Sequence, residues 1–135
     1  MNARDYYLSV KVERMAWKKS MPQLCMWCGK ASKWPGLQVH EICRRSWASR
    51  SWGHPCNYLL LTSDCHANLF ATMPLARQLA VKKIKDPLNY DLEKWLEIRK
   101  TGEVDAEAVE VEASFLWKEH YGTKKRATSR KGLVF

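Results

Sequence analysis

The chain has 135 residues, 46% of them hydrophobic and 27% charged, with seven tryptophans, five tyrosines and three phenylalanines. Such a chain can bury one core. This excludes a disordered or low-complexity protein and leaves little room for two independent folds. No apolar run reaches the ~18 residues that a membrane helix needs, and the formal charge of +9 points to a polyanionic partner rather than to a membrane.

The charge is patterned. Residues 1–20 and 122–135 carry five Lys/Arg each, residues 30–54 carry five more against the single acid Glu41, and residues 101–121 hold six acids and one lysine. Arg4, Asp5, Lys11, Glu13 and Arg14 interrupt the apolar positions near the start. These residues cannot form the apolar stretch of a secretory signal, and an intracellular, cytoplasmic protein is expected.

In chain order, YYLSVKVERMAWKK (6–19) fits an amphipathic helix with Tyr7, Val10, Arg14 and Trp17 on one face, or a strand through its first half; helix is favoured. LCMWCGK has the spacing of a cysteine knuckle with a turn at Gly29, and Pro35-Gly36 leads into a short strand, LQVHEI. CRRSWASRSWGHPC (43–56) reads as a loop, NYLLLT as a second strand, and SDCHANLFATM as a helix that Ser63 or Asp64 would cap. Three further helices follow, opening near Pro74, Asp91 and Asp105, the last ending at Gly122, with Trp95, Leu96 and Phe115 expected in the core. The expectation is one domain over 1–121, with a core at 25–73, a helical extension at 74–121, and a basic, flexible tail at 122–135.

Five cysteines is an odd count, and in a reducing compartment a CxxC reads first as a metal or redox site. Cys25, Cys28, His40, Glu41, Cys43, His54, Cys56, Asn57, Asp64, Cys65 and His66 all fall within 42 residues; His120 lies apart. Cysteine and histidine at this density point to a site rather than to packing alone.

A CxxC knuckle, a strand ending in His40-Glu41, a loop, Asn57 before a second apolar strand, and Cys65-His66 opening a helix resemble the HNH (ββα-metal) endonuclease family, in its small stand-alone phage or bacterial form. The resemblance covers residues 25–70. It implies an α+β fold with a ββα-metal core, an adjoining knuckle and a C-terminal helical extension. It also implies cleavage of phosphodiester bonds in DNA with one divalent cation (Mg²⁺, Mn²⁺, Ni²⁺ or Zn²⁺), which would polarise the phosphate while a nearby base takes a proton from water. His40 and His66 take the ligand positions, Glu41 the base position, and Asn57 either ties the loop to the strand or ligates the metal. The alternative register makes His40 the base and Glu41 a ligand. Arg44, Arg45 and Arg50, interleaved with tryptophans, are candidate phosphate contacts.

The chain departs from the family pattern in three places. Glutamate stands where a second histidine is usual, and its reference pKa of about 4.3 makes it a weaker base than imidazole at about 6.5. Thr62 stands where the third knuckle cysteine falls, leaving Cys25, Cys28 and Cys65. Structural zinc then needs Cys43, His54 or Cys56 as fourth ligand, or the knuckle has become an apolar cluster. Phe70 replaces a further helix ligand. These departures support the alternatives of a non-cutting zinc and nucleic-acid-binding module or a small zinc-knuckle regulator, as monomer or homodimer.

Overall fold

The computed structural model describes residues 2–33, 36–44, 53–99 and 104–122. Helix α1 (Ala3–Ser20) begins where the Asn2 side chain accepts the Asp5 amide hydrogen at 2.8 Å. Asp5 in the first turn and Lys18 and Lys19 in the last oppose the helix dipole. Val10 and Trp17, two turns apart, face the core, with Tyr7 and Arg14 half-buried beside them.

The chain then turns into the knuckle. The Cys25 amide donates to the Lys30 carbonyl at 2.9 Å and the Gly29 amide to the Cys25 carbonyl at 2.9 Å. Gly29 sits at φ +80°, a left-handed conformation that a residue with a Cβ resists. The Met26 amide donates to the Leu60 carbonyl at 2.8 Å, fastening the knuckle to the second strand.

Strands β1 (Gln38–Glu41) and β2 (Tyr58–Leu61) form an antiparallel pair, with His40 opposite Leu59 and Glu41 opposite Tyr58. All four β2 side chains are buried, which accounts for an unbroken apolar run instead of an alternating one. Each of its leucines stabilises the fold by roughly 1.5–3 kcal/mol. Thr62, extended at φ −66° and ψ 159°, caps α2 (Ser63–Cys65) by accepting the Cys65 amide hydrogen at 3.3 Å. Ser63 and Asp64, the caps expected from sequence, lie inside the helix instead. Helix α2 widens at once into a π-helical turn (His66–Phe70).

Three helices complete the core: α3 (Leu75–Lys85), α4 (Leu92–Arg99) and α5 (Ala106–Leu116), the last continued by a π turn at Trp117–Tyr121. Two acids of α5 find their partners on α3. Arg77 Nε meets Glu112 Oε1 at 2.8 Å and Lys83 pairs with Glu110. Trp95 is fully buried and Leu96 packs against the core. Phe115 is a correction: it is 50% exposed, with the Arg77 guanidinium 5.5 Å from its ring centre.

Lys82 is buried completely, yet its charge is well partnered. Its Nζ donates to the Tyr58 carbonyl and to Asp86 Oδ2, both at 2.7 Å, and lies 4.7 Å from the Trp17 ring centre. Asp86 Oδ2 also accepts the Trp17 indole hydrogen at 3.1 Å, so one ion pair joins α1, β2 and α3. The architecture is thus α+β: a hairpin, a following helix, a CxxC-spaced cysteine pair and C-terminal helices. No helix among the described residues is long and apolar enough to cross a membrane.

Candidate metal centre and the adjoining cleft

The knuckle supplies Cys25 and Cys28, and the start of α2 supplies Cys65. Their sulphurs lie within 4.8 Å of one another, the one such group of three His, Cys, Asp or Glu among the described residues. Thiolates around a single zinc, at about 2.3 Å each, stand about 3.8 Å apart, so the triad needs to close by no more than about 1 Å. It can coordinate a metal ion. Thr62 Oγ1 stands 3.9 Å from Cys25 Sγ. Neither Cys43, which donates to the Arg44 carbonyl at 3.6 Å, nor His54 and Cys56, joined at 3.1 Å through the Cys56 amide, belongs to this group.

Burial alone would push the Cys25 thiol up. Backbone amides of Cys28, Thr62 and Trp27, with the Cys28 side chain, outweigh it and bring Cys25 down to about 7. Burial pushes Cys65 up to about 11, and the neighbouring Cys25 adds to the rise against the lowering effect of Thr62. Cys25 thus gives up its proton more easily than Cys65.

Beside the triad opens a cleft of about 460 Å³ lined by Arg14, Val39, His40, Glu41, Arg44, His66, Ala67 and Ala71. β1 contributes His40, and the first position of the π turn contributes His66. Their ring centres are 5.1 Å apart, the planes inclined at 70°. Two imidazoles bound to one cation through N–metal bonds of about 2.0–2.1 Å have ring centres roughly 4.5–5.2 Å apart, so the pair has the spacing of two ligands of one ion. Burial pushes His40 down to about 4 against the raising effect of its bond to Gln78, with His66 and Arg44 adding to the fall. The ring is therefore neutral near pH 7 and keeps a lone pair.

Glu41 points into the same cleft, but its Oε2 accepts from Arg14 Nη1 at 3.2 Å, and its carboxylate is not part of a three-ligand group with the two histidines. Phe70, at the position where a further ligand would fall, stands edge-on to His40 at 5.7 Å. Arg44 is exposed at the rim, its Nη2 donating to the Ala71 carbonyl at 3.0 Å. Arg45 and Arg50 lie outside the described residues, as do residues 123–135 of the basic tail.

Asn57 is fully buried behind this cleft. Its Oδ1 accepts from the Cys43 amide at 2.7 Å and the Trp95 indole at 3.0 Å, while Nδ2 donates to the Cys43 carbonyl at 3.0 Å. The side chain clamps Cys43, the second residue after β1, to the residue before β2. His120 is likewise engaged away from the cleft, donating to the Trp27 carbonyl at 2.6 Å with its ring stacked on Trp27 at 3.9 Å.

Two residues that act on the cleft, one lining it and one behind His40, escape a reading of the sequence. Arg14 carries a weak signal, a charge on the otherwise apolar face of α1. Gln78 carries none, being an ordinary polar residue inside a helix, although it is 4% exposed and holds His40 Nε2 at 2.7 Å. No protein-family model, curated protein or solved structure matches the chain.

Proposed function

We propose that this chain is a metal-stabilised ββα-type module that binds a nucleic-acid backbone, DNA in the first instance, along its His40–His66 cleft. The supporting observation is the division of labour between two adjacent residues: Cys65 completes the cysteine triad while His66 faces His40 across the cleft. Three thiolates suit zinc, and an ion there would hold the knuckle against the start of α2 and so set the position of His66. Arg14 and Arg44 give the cleft the charge to accept phosphate, and Arg45 and Arg50 continue the basic run in sequence.

A second reading is favoured by the ring spacing of His40 and His66: the module cuts the strand it holds, as a metal-dependent endonuclease. A divalent cation bound by these histidines would stabilise charge on the phosphate and on the departing 3′ oxygen. The chain's own part is to orient the phosphate through Arg14 and Arg44 and to accept a proton from the attacking water at Glu41. Arg14 holds that carboxylate, so the arriving phosphate must first draw the guanidinium away.

Fluorescence anisotropy with labelled duplex DNA tests the first reading. Affinity falls with rising salt and weakens on Arg14→Ala or Arg44→Ala; salt-independent or absent binding overturns it. Incubation with supercoiled plasmid in Mg²⁺, Mn²⁺ or Ni²⁺, against EDTA and His66→Ala, tests the second. Metal-dependent nicking lost in His66→Ala supports cleavage, and intact plasmid under every metal leaves binding alone as the function.

A further inference from the structure

We infer that Gln78 is a positioning residue for the cleft: it locks His40 in the tautomer with hydrogen on Nε2, so that Nδ1 is the atom His40 offers to a cation. This rests on the reading of the His40–His66 pair as a cation site. The tautomer itself follows from hydrogen-bond bookkeeping.

Gln78 lies on α3, 38 residues from His40, with its amide enclosed. The amide nitrogen donates to two backbone carbonyls, that of Met73 at 2.8 Å and that of Phe70 at 3.3 Å. Carbonyl oxygens only accept, so a flipped amide would set Oε1 against both and leave its donors without them. The orientation is therefore fixed, and Oε1 is the atom that meets His40 Nε2 at 2.7 Å. An amide oxygen also only accepts. At that distance Nε2 must carry the hydrogen, because two facing lone pairs would repel.

The consequence falls on the other ring nitrogen. In a neutral imidazole with hydrogen on Nε2, the one available lone pair is on Nδ1. The ring lines the cleft with its centre 5.1 Å from that of His66, and Nδ1 is the nitrogen left to meet a cation held between the two rings. Ligand histidines generally have their second nitrogen held by an acceptor that fixes tautomer and ring orientation, and Gln78 supplies such an acceptor. Phe70 sets the ring from another side while its carbonyl holds the Gln78 amide, so a single turn of chain constrains both residues.

Long-range ¹H–¹⁵N correlation spectra at neutral pH, of protein given a single equivalent of zinc for the cysteine triad, read the tautomer directly before a cation is added to the cleft. Expected is a His40 ring with Nε2 protonated and Nδ1 bare. Gln78→Leu, which keeps the volume and removes the acceptor, should give a tautomer mixture. Gln78→Glu keeps an acceptor oxygen for Nε2 and, with its other oxygen protonated so that it donates to the Met73 carbonyl, should restore the native pattern; thermal melts of both variants show whether the fold persists. A Ni²⁺ titration, with His66→Ala as the control for the cleft, should then weaken by about 10–100-fold in Gln78→Leu and recover in Gln78→Glu. A native His40 with hydrogen on Nδ1, or a folded Gln78→Leu protein with unchanged tautomer and Ni²⁺ affinity, overturns the positioning role. If the native spectrum is as expected but Ni²⁺ binds no differently from His66→Ala, the cation reading of the cleft is refuted, and with it Gln78's role in presenting a ligand.

Discussion

Asn57 offers the sharpest test of how the hairpin is held, because one side chain satisfies three buried groups: the Cys43 amide, the Cys43 carbonyl and the Trp95 indole. Asn57→Leu removes all three partners at once. A buried polar group left unsatisfied costs about 1–3 kcal/mol, so the sum is roughly 3–9 kcal/mol. The added apolar side chain offsets about 2 kcal/mol of this, and relaxation of the loop recovers more. A net loss of about 3–5 kcal/mol is expected, a large share of the 5–15 kcal/mol typical of a domain. Asn57→Asp separates the contributions. Its carboxylate still accepts both N–H groups, but its second oxygen faces the Cys43 carbonyl and must be protonated to donate. Folding therefore raises the pKa of that new carboxyl. A raised acid favours folding below its unfolded value and loses that support as pH rises through its folded value, so Asn57→Asp should be least stable relative to the native chain at high pH. Urea denaturation of native and variant proteins at pH 5 and pH 8, compared at the same pH, measures both effects. A loss under about 1 kcal/mol for Asn57→Leu, combined with abolished cation binding, would refute the clamp and make Asn57 a ligand instead.

Other expectations follow from the same contacts. The folded value of His40, about 4, lies below its unfolded value near 6.5, so the unfolded chain takes up the proton first as pH falls. The contribution is intact above about pH 6.5 and is lost toward pH 4, by on the order of 3 kcal/mol, and His40→Gln should flatten this slope in pH-dependent denaturation. Thr62→Cys places a fourth thiol beside the triad, and chelator competition should show zinc held at least about tenfold tighter; unchanged affinity would mean that position 62 does not reach the ion. Lys82→Met should cost about 3–5 kcal/mol by stranding the Asp86 carboxylate, whereas the Lys82→Met, Asp86→Asn pair should cost less than the two single changes added together. Strict additivity in that cycle would contradict a coupled ion pair.

The parts of the fold that can be read from sequence are those where burial is periodic or continuous. Tyr58–Leu61 is unbroken apolar because β2 is enclosed, and Val10 and Trp17 repeat at helical spacing because α1 lies on the core. Phe115 defeats this logic, since an aromatic residue at helical spacing can equally cover the stem of an arginine at the surface. Lys82 defeats it in the other direction. Charge in a helix reads as solvent-facing, and it is the tertiary approach of Tyr58 and Trp17, added to the local partner Asp86, that lets Lys82 be buried.

For the candidate site, local spacing reaches only half of the geometry. CxxC on a tight glycine turn and Cys65-His66 beside a helix start are visible because each is a short-range device, and the triad joins them through the Met26–Leu60 hydrogen bond that docks knuckle on strand. What decides the chemistry of His40 and Glu41 comes from distant segments with no motif. Arg14, on α1, engages the carboxylate of Glu41, and Gln78, on α3, takes the Nε2 hydrogen of His40. The two helices thus act oppositely on adjacent residues of one strand. α3 leaves His40 with a bare nitrogen, and α1 leaves Glu41 paired. A phosphate that competes for Arg14 would release the carboxylate while the histidine, held from behind, stays in place; Arg14→Ala should therefore weaken DNA binding without changing the His40 tautomer, and a changed tautomer in that variant would show that the two controls are not separate.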